Sequence, residues 1–382
     1  MILQEEHHLI RKSVREFAER EVKPLAKELD EKGMFSVHLT KRMGELGFFG
    51  LRTPAEYGGL DMDTLAYVIA VEELARIDSS QAATLAAHIS LGIGPIMHYG
   101  NAGQKEKYLG RLSAGDSLWA FGLTEPDAGS DSRGTKTTAR IDGDEWVING
   151  SKIFITNGAS EINIGATVQV VTGDVNGQKE FTTILVDADT PGFRRVAMHG
   201  KMMWRASDTA QLFFDDCRVP LSNTLGKRGE GSRIMLSTLD SGRLAIAAMG
   251  LGLAQGAFEQ AMVYAKSRRQ FGKPIAQFQV NAFKLADMAT KIELARNLLY
   301  KGAWLKSNNQ PFAKEAAMAK LYCSEIAREV ADEAVQLHGG YGLMKDYDIE
   351  RFYRDQRLLQ IGEGTSEIQR MVISRYIGCY EE

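Results

Sequence analysis

Cysteine is scarce in this chain of 382 residues, and its three copies form no recognisable pattern. Cys217, Cys323 and Cys379 are odd in number, and none belongs to a Cys-x-x-Cys pair. This arrangement argues against a disulfide framework and against a structural zinc site. The seven histidines also lack metal-ligand spacing. We therefore expect no bound metal.

Long apolar runs and an excess of basic charge are also missing. No apolar run in the sequence approaches the roughly 20 residues that span a bilayer. The formal net charge is −3, which leaves no basic footprint for nucleic acid and no polybasic membrane signal. Residues 1–29 resemble an acidic amphipathic helix rather than a signal or transit peptide. We expect a cytoplasmic protein, or a matrix protein if the source is eukaryotic and a mitochondrial leader has been removed.

The common nucleotide-binding and nucleophile motifs are absent too. Gly250-x-Gly252 lies inside a predicted helix and follows no strand, so it lacks the context of a dinucleotide fingerprint. The sequence has no phosphate-binding loop that ends in Gly-Lys-Ser/Thr and no Gly-x-Ser-x-Gly elbow. A nucleotide cofactor would have to be held in another way.

The hydrophobic periodicity divides the chain into three regions. Apolar steps of three and four predict helices in residues 1–118, alternating patterns predict strands in 119–222, and the helical period returns in 223–382. No βαβ alternation occurs, so a doubly wound sheet is not expected. We predict an α+β fold with an N-terminal α-helical domain, a middle β-domain of short antiparallel strands and a C-terminal four-helix bundle. The four predicted bundle helices are residues 231–268, 277–307, 312–339 and 364–376.

Four segments carry the chemically informative residues. They are residues 120–131 (AFGLTEPDAGSD), 152–158 (KIFITNG), 264–272 (YAKSRRQFG), and 336–342 (QLHGGYG) followed by 361–370 (IGEGTSEIQR). In this order and over nearly the whole chain, they resemble the acyl-CoA dehydrogenase family. Residues 239–376 are most similar to its short-chain, butyryl-type members. The resemblance implies an FAD cofactor, an acyl-CoA substrate and an electron-transferring flavoprotein as partner.

The resemblance also implies which residues hold the flavin. Thr124 and Ser130 would bond the isoalloxazine and pyrophosphate region, Phe154 would lie against the ring, and the Thr156 hydroxyl would reach toward N5. Many family members have Trp in place of Phe154; Phe keeps the aromatic face but lacks the indole N–H. Further expected cofactor residues are Phe121, Leu123, Thr365 and Glu367.

A second group of cofactor residues is expected to come from a neighbouring subunit. Arg268 offers a charge-assisted grip on pyrophosphate, and the Gly339-Gly340 pair lets backbone approach the adenosine closely. The same group includes Gln270, Phe271 and Gln336. The resemblance therefore implies a homotetramer, a dimer of dimers. A solvated charge at a helix end is the alternative interpretation of Arg268.

Glu363, between Gly362 and Gly364, is the expected catalytic base. Two flanking glycines permit a tight loop that holds a carboxylate over a ligand. The resemblance implies that Glu363 removes the α-proton of a thioester whose carbonyl accepts bonds from the Glu363 N–H and a flavin ribityl hydroxyl. Burial would raise the pKa of this carboxyl. A loop acid that favours a helix N-terminus is the alternative.

Substrate-binding residues are also implied. Some family members place the base on an earlier helix, at the position of Gly242 here, and glycine cannot serve as a base. Asp240 and Arg243 would contact the pantetheine arm, although Arg243 could equally form a structural ion pair. The expected substrate contacts are Ser130, Leu239, Asp240, Arg243, Gly362 and Gly364.

Two departures from the family pattern bear on the acyl group, and a third affects a loop. Gly362 stands where straight-chain members often have Tyr, so we expect a wider pocket that accepts a short branched, cyclic or bulky group. Residues 83–97 should line the acyl pocket and carry no Arg or Lys, which disfavours dicarboxylyl substrates unless His88 supplies a charge. Met203 replaces a common Gly before Trp204, so the local loop geometry is open.

Three other functions remain compatible with the sequence. The same fold could use O₂ directly as an oxidase, or could take its acyl group from a carrier protein instead of CoA. A non-catalytic flavoprotein scaffold is a third possibility, disfavoured because Glu363 and the expected flavin contacts are present.

Overall fold

The computed structural model describes residues 3–380, in which helices precede and follow a strand-rich region. Residues 1 and 2 of the predicted N-terminal helix lie outside the described part. The first helical region comprises α1 Glu5–Phe17, α2 Lys23–Lys32, α3 Val37–Glu45, α4 Thr64–Ala75, α5 Ser79–Ala87, α6 Gly94–Tyr99 and α7 Ala102–Ser113.

Side-chain caps define the starts of several of these helices. The side chains of Ser36, Asp63, Asp78 and Asn101 each accept a hydrogen bond from the third residue of the following helix. The single helix that the sequence suggests over 80–98 is interrupted, because α5 and α6 are joined by the π-helical segment His88–Ile93. Such π segments occur frequently at functional sites.

The strand-rich region forms one twisted sheet. Its strands are β1 Leu118–Gly122, β2 Thr138–Asp142, β3 Glu145–Thr156, β4 Asn163–Val175, β5 Gln178–Asp187, β6 Phe193–Ala197, β7 Thr209–Pro220 and β8 Thr224–Leu225. The sheet order is β6-β7-β3-β2-β4-β5-β8, and β1 pairs with β4. Most pairs are antiparallel, but β4 pairs in parallel with β1 and, at one residue, with β2.

The strands are longer than the sequence suggests. Two separate strands were expected near Trp146 and Phe154, yet β3 runs continuously through Gly150 as a twelve-residue strand. Register shifts against β7 absorb the irregular residues at Ile148/Gly150 and again at Lys152/Ile155. The two expected strands are therefore one strand with irregular pairing. Strand β8 also pairs with β5 beyond the expected domain boundary at residue 222.

The second helical region contains α8 Gly231–Ser267, α9 Gln279–Ser307, α10 Ala313–His338, α11 Ile349–Leu359 and α12 Ser366–Tyr376, with the short hairpin of β9 Arg269–Gln270 and β10 Lys273–Pro274 between α8 and α9. Helix α10 packs on α8, α9, α11 and α12. Sequence periodicity did not predict α11.

Glycines let α8 lie in the centre of the helical core. A Cβ at Gly250 would meet the Cys323 carbonyl of α10 at 2.8 Å, and one at Gly252 would meet the Glu72 carbonyl of α4 at 2.1 Å. By length and composition α8 is apolar enough to cross a membrane, contrary to the sequence expectation, but 72% of its most apolar window is buried within the protein. Core helices of soluble proteins share this property.

Candidate active site

Glu363 lies on the short loop between α11 and α12. Its φ of 52° is in the left-handed region, and Gly364 follows with a φ of 93°. Two side chains hold this loop from inside: Lys320 Nζ donates to the Gly364 carbonyl at 2.6 Å, and Gln369 Nε2 donates to the carbonyls of Glu363 and Gly364 at 3.1 and 2.9 Å. The Thr365 hydroxyl caps α12 by accepting from the Ile368 N–H. The loop is thus a fixed support for one carboxylate.

The Glu363 carboxyl group points at α8 and occupies the space beside Gly242. An added Cβ at Gly242 would lie 1.8 Å from Glu363 Oε2 and 2.7 Å from its Cδ. Oε2 is buried and has no hydrogen-bond partner within residues 3–380. The two positions that carry the base in different family patterns therefore meet in space, and only the loop position has a carboxylate.

Burial dominates the electrostatics of this carboxyl. Desolvation raises the pKa of Glu363 to about 7, against the opposing attraction of Lys320 and Arg243. Burial likewise lowers the pKa of Lys320 to about 8, although Glu363 opposes that change. A carboxylate whose pKa lies near neutrality is suited to accept a proton and to be regenerated. Arg243, itself buried, forms an ion pair with Asp240 one turn earlier on α8.

An exposed aromatic face stands at the end of β3. Phe154 is 64% exposed and has a φ of 61°, which is rare for a bulky residue. It lies at the register shift between Lys152 and Ile155, where the strand bends and re-aims its side chain. The Ile153 N–H donates to the Thr124 carbonyl at 2.9 Å, so the loop after β1 lies alongside Phe154. Thr124 and Thr156 are partly buried at this edge.

The β1 residues connect this aromatic face to α8. Phe121 and Leu123 are buried together with Met235, and Leu239 packs against them. Because Leu239 is less than one turn from Gly242, contacts along α8 lead from the loop after β1 to the residue that faces Glu363. Ser130 lies on the exposed loop that follows β1.

A buried ion pair supports that loop and was missed by the sequence analysis. Lys152 Nζ donates to Glu125 Oε1 at 2.7 Å and to the Leu123 carbonyl at 3.2 Å, and both charged side chains are almost fully buried. Glu125 also accepts from the N–H groups of Lys136 and Thr137. The alternation of β3 could have indicated an inward Lys152, but nothing local marked Glu125 as its partner.

The remaining predicted cofactor residues are far from Glu363. A helical rise of about 1.5 Å per residue places Arg268 roughly 39 Å along α8 from Gly242. The guanidinium of Arg268 lies over the Tyr341 ring at 5.7 Å, so the two predicted segments do meet each other. All six residues of this group are exposed: Arg268, Gln270, Phe271, Gln336, Gly339 and Gly340.

The loop at Met203 has an ordered geometry despite its departure from the family pattern. Trp204 is buried with a φ of 47°. Its backbone N–H donates to Asp355 Oδ1 at 2.7 Å and its indole N–H to the Asp355 carbonyl at 3.1 Å. Met203 packs against the main core. Helix α11 therefore holds this loop.

Comparisons with known proteins agree with this architecture. Three family models match consecutive parts of the chain: the acyl-CoA dehydrogenase N-terminal domain at residues 4–116, the middle domain at 120–217 and the C-terminal domain at 229–378. The short-chain specific acyl-CoA dehydrogenase of Clostridium acetobutylicum is 45% identical, over 97% of this chain and 98% of that protein. The chain belongs to the acyl-CoA dehydrogenase family. It is accordingly an oxidoreductase that acts on CH–CH groups.

Further relatives show the same relationship over the full length. A probable acyl-CoA dehydrogenase of Bacillus subtilis is 46% identical over 98% of each chain. Butyryl-CoA dehydrogenase from Megasphaera elsdenii superposes with a TM-score of 0.96, at 41% identity over 99% of each chain. A chain from a structure described as the electron transferring flavoprotein of Acidaminococcus fermentans has the same TM-score, at 43% identity and the same coverage. Glutaryl-CoA dehydrogenase from Mycobacterium smegmatis in complex with FADH2 gives 0.94, at 32% identity over 100% of this chain and 96% of that one.

These findings confirm the resemblance to short-chain acyl-CoA dehydrogenases and the predicted fold class. Within this acyl-CoA dehydrogenase chain, sequence reasoning also missed Lys320 and Gln369, which support the Glu363 loop. Both lie on helices with ordinary apolar periodicity, where a lysine or glutamine gives no local signal of its partner.

His88 does not supply a positive charge to the predicted acyl pocket. Its two ring nitrogens contact the Leu112 carbonyl at 3.0 Å and the Trp119 N–H at 3.2 Å. Burial lowers the pKa of His88 to about 4, so the ring is neutral at physiological pH. His88 therefore joins α7 to β1 as a structural residue.

Proposed function

We propose that this chain dehydrogenates a short acyl-CoA thioester to the 2-enoyl-CoA, with Glu363 as the base that removes the α-proton. The observation that carries the proposal is the buried Glu363 carboxyl beside Gly242, whose Oε2 has no partner among the described residues. A buried carboxylate oxygen without a hydrogen-bond partner destabilises the folded protein, and the α-proton of a bound substrate would be a partner for it.

The backbone of the same residue supplies a second function. The Glu363 N–H forms no hydrogen bond within residues 3–380. It is free to donate to the thioester carbonyl, on which negative charge develops as the α-proton leaves. Carboxylate and N–H of one residue then act on adjacent carbons of the substrate, and Lys320 and Gln369 keep that residue in place.

The cleft between Phe154 and Glu363 fits a flavin, and we propose that the chain binds FAD there. Phe154 offers a free aromatic face, and Phe121, Leu123, Thr124, Ser130 and Thr156 lie along the adjoining edge. Thr365 and Glu367 lie at the start of α12, directly after the Glu363 loop. Bound FAD supplies the acceptor for the hydride that leaves the β-carbon. A related solved structure is described as a complex with FADH2.

We further propose a homotetramer, a dimer of dimers, in which a neighbouring subunit completes the FAD site. Arg268 lies roughly 39 Å along α8 from Gly242 and over the Tyr341 ring, and Arg268, Gln270 and Phe271 are all exposed. Phe271 is 93% exposed, an unusual state for a large apolar side chain in an isolated protein. A second copy of this chain would cover it.

For the substrate we propose a short acyl group, branched or cyclic near the reacting carbons, bound through Leu239, Asp240 and Arg243. A Cβ at Gly362 would meet only Leu358, at 3.7 Å, so nothing in the fold requires glycine there. Its effect is to leave open space beside Glu363. Comparing isobutyryl-CoA with butyryl-CoA tests this: a strong preference for butyryl-CoA contradicts it.

We propose an electron-transferring flavoprotein as the electron acceptor. A related chain comes from a structure described as such a flavoprotein. Direct use of O₂ and a carrier-protein substrate are the competing possibilities. Rapid reoxidation by air after substrate reduction would favour the oxidase, and reduction by acyl-carrier protein but not by acyl-CoA would favour the second.

The decisive experiment is an anaerobic titration of the purified protein with short acyl-CoAs, following the visible flavin spectrum. Wild type should bleach with a substrate, whereas Glu363→Gln should retain FAD and fail to bleach. If the variant bleaches at the wild-type rate, Glu363 is not the base. If no acyl-CoA bleaches the flavin of the wild type, the CoA assignment is wrong.

We also propose the domain limits 1–118, 119–222 and 223–382, and a cytoplasmic location (the mitochondrial matrix for a processed eukaryotic protein). The order of helical and strand-rich regions supports the limits, with β8 placed just beyond the second one. Limited proteolysis followed by mass determination would test the limits.

A further inference from the structure

A small cavity of 40 Å³ is lined on α8 by Ser237, Thr238 and Ser241, the last of which is next to the Gly242 that faces Glu363. It is enclosed by α4, α6, α8, the π-helical segment after α5, the end of α9 and the loop after α3. Its polar lining residues include Arg52, Tyr67, His98, Ser241 and Lys306. A void of this size holds a group as small as one carboxylate or a few waters.

Two of these residues are cations without a partner acid. Arg52 Nη1 donates to the Met62 carbonyl at 3.2 Å, and Lys306 Nζ donates to Ser241 Oγ at 2.5 Å. Neither cation has a carboxylate oxygen within 4.0 Å among residues 3–380. The lining contains no Asp or Glu. Half-buried cations that share a cavity without an acid are unusual, because desolvated charges normally pair.

The cations repel each other across the cavity. Burial, followed by the charge of Arg52, lowers the pKa of Lys306 to about 7. Burial also lowers the pKa of His98 to about 4, with Lys306 and Arg52 adding to the effect. Of the acids that act on the two cations from further away, Asp240 pairs with Arg243, Asp63 binds His7 and the Ala66 N–H, and Asp61 is exposed to solvent.

The cavity adjoins the proposed base. Ser241 lines it and precedes Gly242, the residue against which the Glu363 carboxyl packs. Tyr67 also lines the cavity, and the Glu363 charge contributes to raising the pKa of Tyr67. From Ser241 back to Ser237, which also lines the cavity, the helical rise covers only about 6 Å. An acyl chain that starts at Glu363 and runs along α8 would end in this region.

We propose that the cavity is the distal acyl subsite and binds a carboxylate at the far end of the acyl group through Arg52 and Lys306. The inference rests on the proposed function and makes it more specific: the substrate class is a dicarboxylyl-CoA. It contradicts the expectation from the sequence that dicarboxylyl substrates are disfavoured, because that expectation considered only the charges within residues 83–97. Arg52 comes from the α3–α4 loop and Lys306 from α9, and the fold brings both residues next to the segment 83–97.

Equilibrium binding to the FAD-loaded Glu363→Gln protein tests the subsite without turnover. Isothermal calorimetry would compare glutaryl-CoA with valeryl-CoA, and adipyl-CoA with hexanoyl-CoA, so that each pair shares its carbon number. We expect the dicarboxylyl member of at least one pair to bind 10-fold or more tightly. Arg52→Met and Lys306→Met, each added to Glu363→Gln, should reduce that ratio toward one.

Lys301→Met is the matched control, because Lys301 lies on the same helix but is exposed and faces Glu315. It should keep the wild-type ratio. Arg52→Lys, which retains the charge, should keep most of it and guards against misfolding of the methionine variant. Equal binding of both members in both pairs, or ratios that are insensitive to Arg52 and Lys306, would overturn the proposal.

Two further outcomes are informative. One distinguishes a free carboxylate from a carboxylate on the acyl group, and the other distinguishes failure of the subsite from failure of the proposed function. If free glutarate competes with valeryl-CoA while glutaryl-CoA gains nothing, the cavity binds a separate anion and the acyl assignment is wrong. If valeryl-CoA bleaches the wild-type flavin while dicarboxylyl-CoAs neither bind more tightly nor bleach it, the proposed function stands and the subsite does not.

Discussion

Replacing Gly242 by alanine should disable the base without touching it. The new Cβ would lie 1.8 Å from Glu363 Oε2, whereas real Cβ contacts essentially never fall below 3.0 Å, so the carboxylate must retreat by roughly 1 Å. A displacement of that size at a reacting group costs on the order of 100-fold in rate. Stopped-flow anaerobic reduction of the flavin by a saturating acyl-CoA measures the step directly.

The stability of the same variant separates displacement from general damage. Alanine is the better helix former by about 1 kcal/mol, which offsets part of the clash. In a Glu363→Ala background the clash disappears, so Gly242→Ala should there stabilise the protein. Chemical denaturation of wild type, Gly242→Ala, Glu363→Ala and the double variant gives the coupling free energy between the two positions. Reduction of the Gly242→Ala flavin within three-fold of the wild-type rate would refute the reasoning.

Four other perturbations follow from the site. Because burial raises the pKa of Glu363 to about 7, the rate of flavin reduction should increase with pH through about 7. A carboxyl group whose pKa is raised in the folded state stabilises the protein below about pH 4.5, and this contribution is lost as the pH rises to 7. The free energy of unfolding of Glu363→Gln should therefore exceed that of wild type by up to about 3 kcal/mol at pH 8 and by nothing at pH 4.5. A difference in the free energy of unfolding that does not change with pH would contradict this. Lys320→Met removes a cation that favours the carboxylate, so the midpoint of the pH–rate profile should shift upward; an unchanged midpoint contradicts it. Arg268→Ala should lower the FAD content of the purified protein, measured from the visible spectrum, with little change in far-UV circular dichroism, and full FAD retention would argue against a shared site.

Local patterns in the sequence were enough for the order of the regions and for the proposal of Glu363 as the base. Helical and strand periods depend on neighbours a few residues away, so the helix–strand–helix order could be predicted before any contact was known. Glu363 was identified because two glycines flank it in a segment that resembles the family. The same reasoning divided β3 into two short strands, whereas the sheet accommodates Gly150 at a register shift within one continuous strand.

The tertiary structure alone decided how distant residues meet. Nothing near Gly242 in the sequence shows that its missing side chain makes room for Glu363, and nothing near Lys320 shows that it holds the Gly364 carbonyl. The charges of Arg52 and Lys306 belong to different helical layers, and only packing around α8 places them at one cavity. Periodicity records which face of an element is apolar, whereas the pairing of faces depends on contacts between residues far apart in the chain. For that reason the sequence determined the chemistry of this protein, and the packing decided the environment in which that chemistry takes place.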